Sequence, residues 1–171
     1  MAETKEAPVK LYRSQLQLKE GDIIPQPGMQ EETLLSTADL TIIGGSRGSG
    51  KSFSLILDPL YDTHNPNFTA ICLRKETSQL ALGGGLYDKA SKIYPLLGAK
   101  GTKLRFQFPS GASITYDHLV NETEKEIEKR FKGLEVPGIY IEDISLVKYA
   151  YRIYDSIRLF SIWCVTTDMV F

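Results

Sequence analysis

The stretch LTIIGGSRGSGKSF, residues 40–53, decides how the chain folds. An apolar run ends in two glycines, a loop of small residues follows, and a helical pattern begins after Gly50-Lys51-Ser52. Gly45-Ser46-Arg47-Gly48-Ser49-Gly50-Lys51-Ser52 satisfies the spacing G-x-x-x-x-G-K-[ST]. Each residue type has a physical reason to be there. Glycines let successive backbone N–H groups turn inward and form an anion-binding nest. The helix that follows directs its positive end at the same point. Lys51 supplies a mobile charge for β- and γ-phosphates, and the Ser52 hydroxyl suits Mg²⁺. A glycine-rich turn with no ligand is the bland alternative. A strand before the loop and a helix after it favour nucleotide binding.

Such a loop needs a carboxylate at the end of a neighbouring strand. The segment GIYIED, residues 138–143, offers two: the apolar run Ile139-Tyr140-Ile141 delivers Glu142 and Asp143 at its C-terminal edge. That edge is where open α/β sheets bind ligands. One acid would hold Mg²⁺, and the other would orient or deprotonate an attacking water. The alternative is a pair of carboxylates opening a surface loop. The strand FTAICLRK, residues 68–75, intervenes between the two motifs, which points to the additional-strand class of ATPases. Arg74 and Lys75 end that strand on the ligand edge, where contact with phosphate or DNA and plain solvent exposure all remain open.

Composition bounds the rest. The chain has 171 residues, enough for one domain with a substantial core, and 42% are hydrophobic. Twenty basic residues against 21 acidic ones give a formal net charge of -1, so nucleic-acid contact would need a local patch. Cys72 and Cys164 sit far apart in apolar runs and read as buried, reduced thiols. The charged N-terminus has no signal-peptide pattern, and no apolar run reaches membrane-spanning length. A cytoplasmic location is therefore expected.

Alternating strand and helix signals follow along the chain. Residues 1–30 are mixed, with IPQPGMQ, residues 24–30, reading as an extended, proline-punctuated lead-in. Asp39–Gly44 is a short buried strand, Ser52–Tyr61 a helix stopped near Pro59, and Leu86–Leu97 a helix with one apolar side. KLRFQF and SITYDHL, split by Pro109-Ser110-Gly111, predict a β-hairpin. NETEKEIEKRF is a charged helix capped by Asn121, with a solvated face. VPGIYIEDI is a buried strand, Leu146–Arg158 a helix and FSIWCVTT a final strand. This alternation predicts an α/β fold with a mostly parallel sheet and helices on both faces. His64 and His118 are too isolated for a catalytic or zinc cluster.

With these residues in hand, the chain resembles the ATPase domain of the large terminase subunit, the DNA-packaging motor of tailed bacteriophages. The likeness spans roughly residues 25–145. PGMQEETLLSTADLTIIGGSRGSGKS is similar to the family's glutamine-bearing lead-in, strand and P-loop. CLRKETSQLALGGGLYDKASKIYPLLGAK resembles its second strand and following helix, FPSGASITYDHL its hairpin, and FKGLEVPGIYIEDI its glycine-containing loop and acidic strand.

The resemblance implies a P-loop ATPase domain over residues 1–171, with 1–38 as an adenine-contacting lead-in and 39–171 as a core truncated at its C-terminus. It implies ATP and Mg²⁺ as ligands, Arg47 as a γ-phosphate sensor and Gln30 as the residue that recognises adenine. Thr166 and Thr167 fall at the family's coupling motif, although threonines are also ordinary strand formers. Double-stranded DNA, a portal protein and a small terminase subunit are the implied partners, in the cytoplasm of a bacterial host. The family works as a homo-oligomeric ring, while this chain is expected to be a monomer without a nuclease domain and with weak activity. The family usually orders its acidic pair Asp then Glu; here Glu142 precedes Asp143, so their division of roles stays open. A small-molecule kinase and a nucleotide-binding module without turnover are the rival readings.

Overall fold

A computed structural model of the chain describes residues 22–46, 48–75, 83–119, 123–132, 136–143 and, for backbone alone, 161–165. Its centre is a sheet of seven strands: β1 (Leu40–Ile43), β2 (Thr69–Arg74), β3 (Lys100–Thr102), β4 (Arg105–Gln107), β5 (Ser113–His118), β6 (Gly138–Glu142) and β7 (Ser161–Val165). Their order across the sheet is β1-β7-β6-β2-β5-β4-β3. The first five in that order run parallel, and β4 and β3 add an antiparallel extension. The fold is therefore α/β with a mostly parallel core.

One expectation changes here. The strand β2, FTAICLRK, does separate the glycine loop from the acidic strand along the chain. In the sheet, however, β2 lies beyond β6, and the strand between β1 and β6 is β7. Chain order does not dictate strand order, because parallel strands are joined by crossovers that can skip a position.

Four helices are described: α1 (Met29–Leu34), α2 (Lys51–Leu57), α3 (Leu86–Ile93) and α4 (Glu124–Phe131). α1 takes in Met29 and Gln30, the end of the expected extended stretch, and continues over residues for which no element was expected; it opens after Gly28, whose φ of +87° suits glycine. The expected helices Ser52–Tyr61 and Leu86–Leu97 each end in a 3₁₀ turn, Asp58–Asp62 and Tyr94–Leu97, and each turn begins beside a proline. The cap of α4 is Thr123, which forms a reciprocal capping box with Glu126; Asn121 lies outside the described residues. The hairpin of β4 and β5 is as expected, whereas β3 is an addition. Lys103 and Leu104 turn β3 into β4 with positive φ at both positions, as two-residue hairpin loops favour. The expected helix 146–158 lies outside the described residues.

The core explains how the sheet is covered. Leu55 and Ile56 of α2 and Leu86 and Ala90 of α3 pack with Ala70, Cys72, Ile114, Tyr116 and Tyr140 on one face. Within it a chain of polar groups runs from Tyr116 Oη to Tyr94 Oη, at 3.2 Å, and from Tyr94 Oη to the carbonyl of Ile56, at 2.9 Å. Burial pushes both phenols well above their usual range and the Cys72 thiol up as well. Leu73, Ile139 and Ile141 alternate to the opposite face and are also buried. Asp117 shares that opposite parity, and Arg130 of α4 pairs with it and donates to the His118 carbonyl at 2.9 Å. α4 thus reaches the end of β5 from that side.

Candidate functional site

The five parallel strands end at one edge, and their register gathers the charged residues there. Ile43, Val165 and Glu142 stand in one row. Leu73 is paired with Ile141, so Arg74 follows next to Glu142. Parity then aims the side chains. Tyr140 faces α2 and donates to Asp58 Oδ2 at 2.8 Å, near the C-terminal end of that helix. Two residues on, Glu142 faces the same way and meets Ser52 near the helix's start. Ala70 and Cys72 face the same side, so Arg74 does too.

Ser52 Oγ donates to Glu142 Oε1 at 2.5 Å, and Arg74 Nη1 lies 3.1 Å from Glu142 Oε2. Asp143 leaves the strand with φ +62°, a left-handed conformation that aspartate adopts more readily than most side chains. Gly48, Ser49, Gly50, Lys51, Ser52, Arg74, Gly84, Lys89, Glu142 and Asp143 line one cleft of about 360 Å³. Three cationic side chains and two carboxylates thus share a small volume, a composition suited to a polyanion together with a cation.

The loop is held from inside and from behind. Lys51 is buried, and its Nζ donates to the carbonyls of Gly45 (2.6 Å) and Ser46 (2.5 Å) and to Ser49 Oγ (3.1 Å). Ser49 Oγ in turn donates to the Ser46 carbonyl at 2.9 Å. Gly48 and Gly50 both have φ +81°, which the tight turn needs. Behind the loop, buried Gln30 donates from Nε2 to the Gly50 carbonyl at 2.9 Å and accepts the Gln26 N–H at 2.8 Å. Its amide therefore ties α1 to the start of α2. One N–H and one lone pair of that amide are left over for other partners.

The structure brings Gly48, Ser49, Gly50, Lys51, Ser52, Glu142 and Asp143 into one cleft, with Gly45 and Ser46 binding Lys51. Gln30 supports the loop from outside the cleft wall. Arg47, Thr166 and Thr167 lie outside the described residues. The open question over the end of β2 divides: Arg74 enters the cleft and Lys75 is exposed. Lys89 escaped the sequence reading, because a lysine on an amphipathic helix carries no distinguishing signal. It arrives through α3, whose entry is braced by Asp88 accepting the Gly84 N–H and pairing with Lys92. These two contacts hold the Asp88 carboxyl below its usual range, the Gly84 N–H being the larger cause.

Oxygen donors dominate the Ser52–Glu142 end of the cleft. No group of three histidine, cysteine or acidic side chains suited to a metal occurs among the described residues. A hydroxyl and a carboxylate at hydrogen-bond distance fit Mg²⁺, which keeps waters and takes only one or two protein carboxylates alongside substrate phosphates.

No protein-family model matches the chain, and no curated protein aligns with it significantly. Among the described residues no helix is long and apolar enough to cross a membrane.

Proposed function

We propose that the chain binds ATP with Mg²⁺ in this cleft and hydrolyses it, as a P-loop ATPase of the additional-strand class. The observation that carries the reading is the 2.5 Å contact between Ser52 and Glu142, made across 90 residues of sequence. It joins the hydroxyl at the end of the glycine loop to the carboxylate at the end of β6, the two groups such an enzyme uses to hold its metal. The position of β7 between β1 and β6 supports the additional-strand assignment.

Roles follow from position. The loop N–H groups and Lys51 bind the phosphates, with Lys51 turning from the Gly45 and Ser46 carbonyls to phosphate oxygens. Ser52 and Glu142 hold the metal, whose chemistry is to neutralise charge on the phosphates. Asp143, next to Glu142 on the cleft wall, orients the attacking water and accepts its proton. Gln30 reaches adenine with the donor and acceptor it has left, and Arg47 reaches the γ-phosphate. The resemblance to terminase large subunits carries the finer proposal that hydrolysis drives packaging of double-stranded DNA. In that setting a ring of subunits works with a portal protein and a small terminase subunit in the bacterial cytoplasm.

Nucleotide titration and phosphate release, measured on a panel of variants, test the proposal. Lys51→Ala should lose most ATP affinity. Asp143→Asn should keep Mg-ATP binding and lose turnover by about 100-fold or more, the usual worth of a general base. Glu142→Gln should weaken the dependence on Mg²⁺ itself. ATP affinity unchanged in Lys51→Ala would overturn the site, phosphate transfer to an added acceptor would indicate a kinase, and binding without turnover in the wild type would leave a binding module.

A further inference from the structure

We propose that Arg74 is an exchangeable counter-ion. It neutralises Glu142 while the cleft holds no nucleotide, and it moves to a phosphate oxygen when Mg-nucleotide arrives. The inference rests on the nucleotide reading above and adds to it a coupling between metal and nucleotide.

Glu142 is nearly buried: Oε1 accepts from Ser52 at 2.5 Å, and Oε2, which accepts no hydrogen bond among the described residues, has the Arg74 guanidinium as an ion-pair partner at 3.1 Å. The charge of the carboxylate is therefore balanced by Arg74. Ligation of a divalent cation by Ser52 and Glu142 would set it against the Arg74 guanidinium, which competes for the same carboxylate. Two cations at that separation repel, more strongly in a partly buried cleft than in water. Metal alone is therefore held poorly.

Arg74 has a second acceptor within reach once phosphates occupy the cleft, because it lines the same walls as Lys51 and Lys89. Its forked donors match phosphate oxygens. The exchange needs only side-chain rotation: the Arg74 backbone is fixed in β2, and its carbonyl accepts the Leu119 N–H at 3.0 Å. Nucleotide binding thus draws Arg74 off Glu142 and opens the carboxylate to metal. Metal and nucleotide each raise the affinity for the other, by the same factor in both directions.

Two titrations on the full chain test this. Mn²⁺ alone is titrated against wild type, Arg74→Gln and Arg74→Lys by electron paramagnetic resonance of the free ion. A fluorescent ATP analogue is then titrated with and without Mg²⁺, and circular dichroism checks that each variant is folded. Arg74→Gln should bind Mn²⁺ alone about tenfold more tightly, the order of the effect that a neighbouring positive charge has on a cation competing for a carboxylate. It should bind the Mg-analogue about tenfold more weakly, the worth of one lost charge-assisted hydrogen bond to phosphate, so that the two ligands no longer help each other. Arg74→Lys, which keeps the charge, should stay near wild type with Mn²⁺ and fall between the two with the analogue. It carries the test if the glutamine variant fails to fold. A purely structural Arg74 would move both affinities in one direction. Unchanged or weaker Mn²⁺ binding by Arg74→Gln, or undiminished coupling, would overturn the proposal. Should the wild type bind no nucleotide, the function proposed above fails together with the phosphate half of the exchange, and the Mn²⁺ titration still decides the carboxylate half.

Discussion

Replacing Gly50 by alanine tests how the loop is braced. A Cβ at this position would stand 2.0 Å from Gln30 Nε2 and 3.1 Å from its Cδ, in a backbone with φ +81°. The left-handed conformation alone costs alanine about 1–2 kcal/mol. Gln30 is flexible enough to swing away, but doing so breaks its bonds to the Gly50 carbonyl and the Gln26 N–H. Each is worth about 0.5–1 kcal/mol. Together Gly50→Ala should destabilise the fold by about 2–4 kcal/mol, a large share of the stability of a typical domain. Urea unfolding followed by circular dichroism reads this as a lower midpoint with an unchanged slope. Gln30→Ala supplies the control. It should cost about 1–2 kcal/mol in the wild type, since it removes the same two bonds, and close to nothing in Gly50→Ala, where they are already broken. A Gly50→Ala protein within about 0.5 kcal/mol of wild type, or strictly additive costs in the pair, would refute the account of Gln30 as a brace.

Two further outcomes are expected. Thr123→Ala should cost about 1 kcal/mol in urea unfolding through loss of the α4 cap. The Thr123 N–H, followed by its hydroxyl, holds the Glu126 carboxyl below its usual value of 4.5, so this contribution is present above that pH and fades as pH falls below it; a gap between variant and wild type that widens in acid would refute it. Tyr94, Tyr116 and Tyr140 are buried phenols with raised pKa, so they stabilise the fold fully below pH 10 and lose that contribution as pH rises beyond it. Of the nine tyrosines, these three should therefore add their phenolate absorbance only together with loss of circular dichroism in an alkaline titration, and ionisation of all three in a folded chain would contradict the burial.

Local chemistry determined much of this protein directly from sequence. The left-handed backbone of Gly48 and Gly50, the apolar run of β6 and the turn after Phe108 depend on near neighbours along the chain, so their residues announce them. The pairing of Glu142 with Tyr140 on one face was legible in the same way, since strand side chains alternate strictly. What that face looks at was decided by tertiary structure alone. Glu142 meets Ser52 because α2, which follows β1 in the chain, packs against β6 and β7, a matter of crossovers linking distant segments. Gln30 could be singled out by resemblance, yet its bond to Gly50 depends on how α1 packs against α2. Arg74 ended its strand with two readings open; the register of β2 against β6 brought it to the carboxylate. Lys89 reached the cleft only through the docking of α3. Conformation propagates over a few residues, whereas side chains meet across the sheet only after strands far apart in sequence have paired, and that pairing minimises the free energy of the whole core.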